Sequence, residues 1–230
     1  MEDLTKRAWE IFRQVQEKRP LVQCITNFVT VNDCANMILA AGGSPSMAHD
    51  IREAAEAAAA ASALVCNLGA IGDTDAMEAA GKAANLLGIP VVFDPVAAGG
   101  TSLRRAEAAR LMRAVHFSVI RGNASEIRFL AGEQSSGSGV DAGMFDEITE
   151  ENLSAAIGIV KGLAEKTGSV IAVSGRLDLI SDSRRTAVLR NGSPVMARIT
   201  GSGCMLTALT GAFCGACQKD CFTAAFAASA

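Results

Sequence analysis

Four short stretches of the chain carry groups that handle phosphate and metal ions. The first is Thr200-Gly201-Ser202-Gly203-Cys204, which follows a run of strand length and opens a helical pattern. Glycines let backbone N–H groups approach an anion. Donors left unpaired at a helix N-terminus, backed by the helix dipole, cradle a phosphoryl group and stabilise charge that develops during its transfer. The same residues also read as a plain helix cap. A dinucleotide fingerprint is disfavoured, because Leu206 stands where Gly-x-Gly-x-x-Gly needs its third glycine, and no Gly-x4-Gly-Lys-Ser/Thr sequence is present.

The second stretch is Asp94-Pro95-Val96, at the end of Ile-Pro-Val-Val-Phe. Open α/β sheets place ligands at the carboxyl ends of their strands, so Asp94 is a candidate metal or phosphate-side carboxylate. An ordinary turn aspartate before proline is the alternative. Arg121-Gly122-Asn123-Ala124-Ser125-Glu126 is the third. Asn123 and Glu126 have capping-box spacing, yet an Arg, an Asn and a Glu at one strand end also suit Mg²⁺ and nucleotide phosphates. The fourth, Gly42 to Asp50, offers Met47 and His49 as the lining of a small pocket or as ordinary loop packing. Cys214-x2-Cys217-x3-Cys221 has helical spacing and no supporting His, so it reads as packing rather than zinc.

These stretches need a scaffold that brings strand ends together. Apolar runs alternate with helical patterns, the signature of a mostly parallel sheet with helices on both faces. The runs predict strands at Leu21 to Thr26, Ala63 to Leu68, Pro90 to Val96, Phe117 to Arg121 and Ser169 to Ser174. Helices are predicted at 3–18, 31–41, 50–61, 74–87, 102–114, 124–131 and 150–166. After Gly175 the period changes, and Leu179 to Ser181, Arg185 to Arg190 and Pro194 to Ile199 read as an antiparallel edge turning at Asn191-Gly192. Residues 132–143 read as a surface loop. Arg104, Arg105, Arg110 and Arg113 read as a solvated helix face.

The 230 residues are half apolar and 20% charged, which fits one or two globular domains and excludes general disorder. A net charge of −3, 4% aromatics and no Tyr leave neither the basic footprint nor the stacking platforms of a nucleic-acid binder. Seven scattered cysteines and a charged N-terminus point to a reducing, cytoplasmic protein. Mean hydropathy is +0.27, and residues 199–218 lack charge. Four glycines there favour a loop and a buried helix over a lipid span.

In order and spacing, Gln23-Cys24-Ile25-Thr26-Asn27, Ser44-Pro45-Ser46-Met47, Asp94-Pro95-Val96, Arg121 to Glu126 and Gly201-Ser202-Gly203-Cys204 closely resemble the hydroxyethylthiazole kinases over nearly the whole chain. The resemblance implies a ribokinase-like fold. It also implies transfer of the ATP γ-phosphate, with Mg²⁺, to the hydroxyl of 4-methyl-5-(2-hydroxyethyl)thiazole in thiamine biosynthesis and salvage. By the same resemblance Met47 and Gly201 contact the thiazole alcohol, with Asn27 lining the pocket. Arg121 and Ser174, with Asn123, contact ATP, while Asp94 and Glu126 organise Mg²⁺. Cys204 stands beside the reacting hydroxyl with Gly201, Ser202 and Gly203 around the phosphoryl group. Homotrimers with sites at subunit interfaces are implied as well. Ser174 and Ser202 stand where Thr is commoner, and each keeps its hydroxyl. Relatives continue for some tens of residues, so residues 1–230 are expected to form one kinase domain without its C-terminal helices. A hydroxymethylpyrimidine-type kinase, a nucleotide-dependent lyase and a silent thiazole- or nucleotide-binding protein are the alternatives, since fold alone does not separate them.

Overall fold

The computed structural model describes residues 2–132 and 147–230. Its centre is one eight-stranded sheet: β1 (Leu21–Ile25), β2 (Ser44–Ser46), β3 (Ala63–Asn67), β4 (Val91–Asp94), β5 (Val119–Asn123), β6 (Val170–Ser174), β7 (Asp178–Ser181) and β8 (Thr186–Leu189). The spatial order is β2-β1-β3-β4-β5-β6-β7-β8; the first six strands are parallel and the last two pairings antiparallel. β1 therefore has β2 on one side and β3 on the other. The chain leaves the carboxyl ends of β1 and β3 at such a switch in strand order, where open α/β sheets form a crevice.

Nine helices are described: α1 (Glu2–Lys18), α2 (Val31–Ala41), α3 (Ala54–Ala59), α4 (Thr74–Leu86), α5 (Ser102–Ala114), α6 (Ala124–Ala131), α7 (Leu153–Thr167), α8 (Ser202–Ala216) and α9 (Cys221–Ser229). α1, α2, α8 and α9 pack on one face around Val22, Cys24, Val65, Val92 and Val119. On the other face α3 to α7 pack around Ile25, Leu64, Cys66, Phe93 and Ile120. That division follows the strand period of two. It has a direct consequence for the site: Asn67, Asp94 and Arg121, each one residue beyond an α3–α7-side residue, belong to the face that α8 covers.

The predicted strands β1, β3, β4, β5 and β6 and all seven predicted helices are present, with ends shifted by a few residues; α3 is the most shortened. β2 carries no apolar run and contains Pro45, whose missing N–H is tolerated on an edge strand. Two expectations beyond Gly175 are overturned. The hairpin turns at Asp182 to Arg185, not at Asn191-Gly192, because the Asp182 carboxylate accepts from the N–H groups of Arg184 and Arg185. Pro194–Arg198 is a 3₁₀ helix rather than a strand: Ser193 accepts from the Val195 N–H, and proline is pre-set for a first helical position. The arginine face is solvated at Arg105 and Arg113, while Arg104 and Arg110 are half-buried. Arg104 clamps the carbonyls of Leu68 and Val96, Arg105 holds that of Gly99, and Arg110 sits among Asp75, Glu78 and Glu107. The loop expected at 132–143 lies, apart from Gly132, outside the described residues.

Candidate active site

The carboxyl ends of β1, β3, β4, β5 and β6 and the N-terminus of α8 bring most of the sequence-marked residues together. Asp94 ends β4 and is 2% exposed. Its Oδ2 accepts from the Asn67 amide at 3.1 Å and the Thr207 hydroxyl at 2.7 Å. Burial pushes its carboxyl up to about 6, and the Glu126 charge adds to this; the Arg121 guanidinium and the Thr207 hydrogen bond pull the other way. A carboxylate with two donors, both on one oxygen, could hold a cation on the other.

Arg121, on β5, is also buried. It donates to the Ser174 hydroxyl at the end of β6, and its enclosed Nε–H has no acceptor among the described residues. A guanidinium at a strand end could pair with an anion.

Two glycines allow α8 to begin where it does. Gly201 is left-handed at φ +74°, and a Cβ there would fall 2.0 Å from Thr30 Cγ2. At Gly203 a Cβ would lie 2.8 Å from Arg121 Nη1, so a side chain there would push that guanidinium aside. The backbone N–H groups of Gly203 and Cys204 have no acceptor among the described residues. They are orphan donors of a helix N-terminus, beside Arg121.

Asn27 stands just after β1. Its Oδ1 accepts from the Thr30 N–H and hydroxyl, which turns its Nδ2 toward Cys204 Sγ at 3.4 Å and Asn67 Oδ1 at 3.4 Å. Cys204 is half-buried in the first turn of α8. Met47 follows β2 and packs on the edge of the α8-side core, to which Cys204 also belongs. Ser202 is the first residue of the helix. His49 is elsewhere: its ring turns to Asp73 at 3.6 Å on the surface.

Asn123 and Glu126 form a complete capping box on α6. Glu126 Oε2 accepts from the Asn123 N–H, and Oε1 accepts from the N–H of Ala97, a non-glycine residue at φ +53°. Glu126 thus ties the loop after Asp94 to α6, so the capping-box reading of the motif holds, and its charge acts on Asp94.

Asn67, Thr207 and Thr30 were not marked by sequence. Each is a single polar residue within an apolar or helical run, and only the fold assembles them. A separate cavity of about 570 Å³, lined by residues such as Met112, His116, Phe117 and Leu163, lies at the opposite, amino-terminal edge of the sheet and touches none of the site residues. Among the described residues no group of three or more His, Cys, Asp and Glu side chains forms a metal cluster, and no helix is long and apolar enough to cross a membrane.

Comparison with known proteins agrees with this arrangement. The model of the hydroxyethylthiazole kinase family matches residues 12–230. A hydroxyethylthiazole kinase of Clostridium beijerinckii is 47% identical over 216 residues, covering 93% of this chain and 78% of the relative. One from Desulfovibrio desulfuricans is 48% identical over 208 residues, covering 90% and 73%. Among solved structures, the hydroxyethylthiazole kinase protein of Pyrococcus horikoshii superposes with a TM-score of 0.85 at 37% identity, covering 97% of this chain and 81% of that one. A Bacillus subtilis pyridoxal kinase, solved as an ADP complex, shares the fold at a TM-score of 0.61, 17% identity and coverage of 91% and 88%.

Proposed function

The chain belongs to the hydroxyethylthiazole kinase family, with its ribokinase-like fold, and from that premise we propose how its own residues transfer the γ-phosphate of ATP to the hydroxyl of 4-methyl-5-(2-hydroxyethyl)thiazole. The observation that carries the reading is the convergence of the free N–H groups of Gly203 and Cys204, the Arg121 guanidinium and the Asp94 carboxylate at the start of one helix.

The thiazole alcohol lies between Met47 and Gly201, with Asn27 beside it. Its hydroxyl oxygen attacks the γ-phosphorus, the bond from that phosphorus to the β–γ bridging oxygen breaks, and ADP leaves. Negative charge spread over the transferring group faces the helix N-terminus and Arg121, which are in place beforehand and need no reorganisation. The Cys204 sulfur, as its thiolate beside the same alcohol, takes the hydroxyl proton and becomes the thiol as the oxygen attacks. Arg121, Ser174 and Asn123 hold the nucleotide phosphates.

The residues present fit Mg²⁺. Asp94 is a buried acid at the end of β4, and its Oδ1 receives no hydrogen bond among the described residues. Asp94, with Glu126 close by, would hold the ion, and the ion would screen and bridge phosphate oxygens. A single domain over residues 1–230 goes with this reading. So does a homotrimer with sites at subunit interfaces, supported by Phe28 and Val29, apolar and exposed directly after Asn27. A cytoplasmic location is supported by seven cysteines, none of them in a disulfide.

The test is ADP release by the purified chain with ATP and Mg²⁺, with and without the thiazole alcohol. Release that depends on the alcohol is expected. Hydrolysis indifferent to the alcohol, or faster transfer to hydroxymethylpyrimidine, would overturn the substrate assignment.

A further inference from the structure

We propose that Asn67 and Thr207 are positioning residues that immobilise one oxygen of Asp94, Oδ2, and thereby commit the other, Oδ1, to the cation and phosphate. The proposal rests on the reading of Asp94 given above and adds to it the division of work between the two oxygens.

An aspartate side chain turns easily about its terminal torsion, which is broad and two-fold, so its oxygens are normally interchangeable. Here they are not. Both donors reach Oδ2, Asn67 Nδ2 at 3.1 Å and Thr207 Oγ1 at 2.7 Å, and among the described residues Oδ1 accepts nothing. Nor is Oδ1 sealed in. The enclosed side-chain oxygens without a partner are Gln23 Oε1 and Thr26 Oγ1, and Asp94 is not among them. One oxygen is held by the fold and the other is left without a donor among the described residues.

Neither donor arrived by accident of rotamer. The Gly69 N–H donates to Asn67 Oδ1 at 2.8 Å, so the opposite end of that amide, a donor, must face Asp94. Asn67 and Asp94 are paired across β3 and β4 in the sheet register, which sets their separation by backbone hydrogen bonds rather than by side-chain choice. Thr207 lies one turn beyond Gly203 on α8, and its hydroxyl also lies 3.1 Å from the Gly203 carbonyl. The helix that offers N–H groups to phosphate therefore also holds the acid that serves the cation.

The chemistry of the pair matters as much as its geometry. Asn67 and Thr207 are 1% and 0% exposed, and both are neutral. An arginine or lysine in either place would orient the carboxylate equally well but would add a second positive charge to that of Arg121, which already acts on Asp94. Neutral, buried donors fix direction and leave the charge intact, as outer partners do around metal ligands generally.

The experiment uses Thr207→Val, Thr207→Ser and Asn67→Ala, with Asp94→Ala alongside. Mn²⁺ binding is followed by electron paramagnetic resonance in the presence of adenylyl imidodiphosphate, and kcat and KM for the thiazole alcohol are measured with Mg²⁺. Thr207→Val and Asn67→Ala should each weaken Mn²⁺ binding and lower kcat about tenfold, on the scale of one hydrogen bond to a charged group. KM for the alcohol should stay within about twofold, and Thr207→Ser should recover most of both losses because it keeps the hydroxyl. Thr207→Val is nearly isosteric, so it carries the test even if Asn67→Ala, which strands the Gly69 N–H, does not fold. Mn²⁺ affinity and kcat unchanged in Thr207→Val, while Asp94→Ala loses both, would overturn the positioning role and leave Asp94 standing. Unchanged values in Asp94→Ala would remove the reading of Asp94 itself.

Discussion

Asn67 and Asp94 face each other across β3 and β4, and the amide of the first donates to the carboxylate of the second at 3.1 Å within the buried floor of the site. The pairing keeps a carboxylate in a place that water scarcely reaches. Its consequences begin with pH.

Burial lifts the Asp94 carboxyl from 3.8 to about 6. Between those values the folded chain holds a proton that the unfolded chain has lost, so this group makes stability fall as pH rises from about 4 to about 6, and the penalty persists above. Two units correspond to about 3 kcal/mol. Asp94→Asn removes the charge at every pH. In metal-free protein at pH 7.5 the variant should melt about 5 °C or more above the parent, with the gap closing toward pH 4, while turnover is lost. A melting difference that does not change with pH would contradict the assignment.

Glu126 is asked to do two things, and its variants separate them. Glu126→Ala removes acceptors for the Asn123 and Ala97 N–H groups and should cost about 1–2 kcal/mol, leaving a folded protein. Turnover should fall at least tenfold at low Mg²⁺ and recover partly as Mg²⁺ is raised. Near-normal turnover at low Mg²⁺ would reduce the residue to a helix cap.

Gly201 has no room for a side chain. Gly201→Ala sets a left-handed alanine against the Thr30 methyl, and a loss of about 3 kcal/mol is expected from the backbone strain and the overlap together. Adding Thr30→Ser removes that methyl, keeps the hydroxyl that bonds Asn27, and should restore part of the melting temperature. Absence of any recovery would show that the clash is not the cause.

Cys204→Ala should lose about 10²-fold or more in kcat if the sulfur takes the hydroxyl proton, and Cys204→Asp should stay active. Equal rates for parent and Cys204→Ala at saturating ATP and alcohol would eliminate the base role and leave transfer to positioning by the helix start and Arg121.

Sedimentation at micromolar concentration should give about three times the 23.7 kDa chain mass, and Phe28→Glu should shift the protein toward monomer with loss of activity. A monomeric, fully active parent would show that the pocket is complete within one chain.

The alternation of strands and helices could be read from the chain because β1, β3, β4, β5 and β6 are buried on both faces and appear as short unbroken apolar runs. The helix start at Gly201 to Cys204 was legible from its glycines, although the segment before it is a 3₁₀ helix rather than the expected strand, and spacing alone left an anion site and a plain cap both open. Its neighbours were not. Asn67 is one polar residue closing Ala-Leu-Val-Cys, and Thr207 is one hydroxyl inside an apolar helix. What makes them partners of Asp94 is the pairing of β3 with β4 and the seating of α8 on that face, contacts between residues 27 and 113 positions apart in the chain. Pairing over distance likewise hid β2, which lies beside β1, whereas the turn at Asp182 is a local side-chain-to-backbone arrangement that the apolar pattern does not register. Periodicity and motif spacing report what a segment does with its immediate neighbours in the chain; strand order, register and helix placement are set by burial summed over the whole sheet, and they decided which side chains meet.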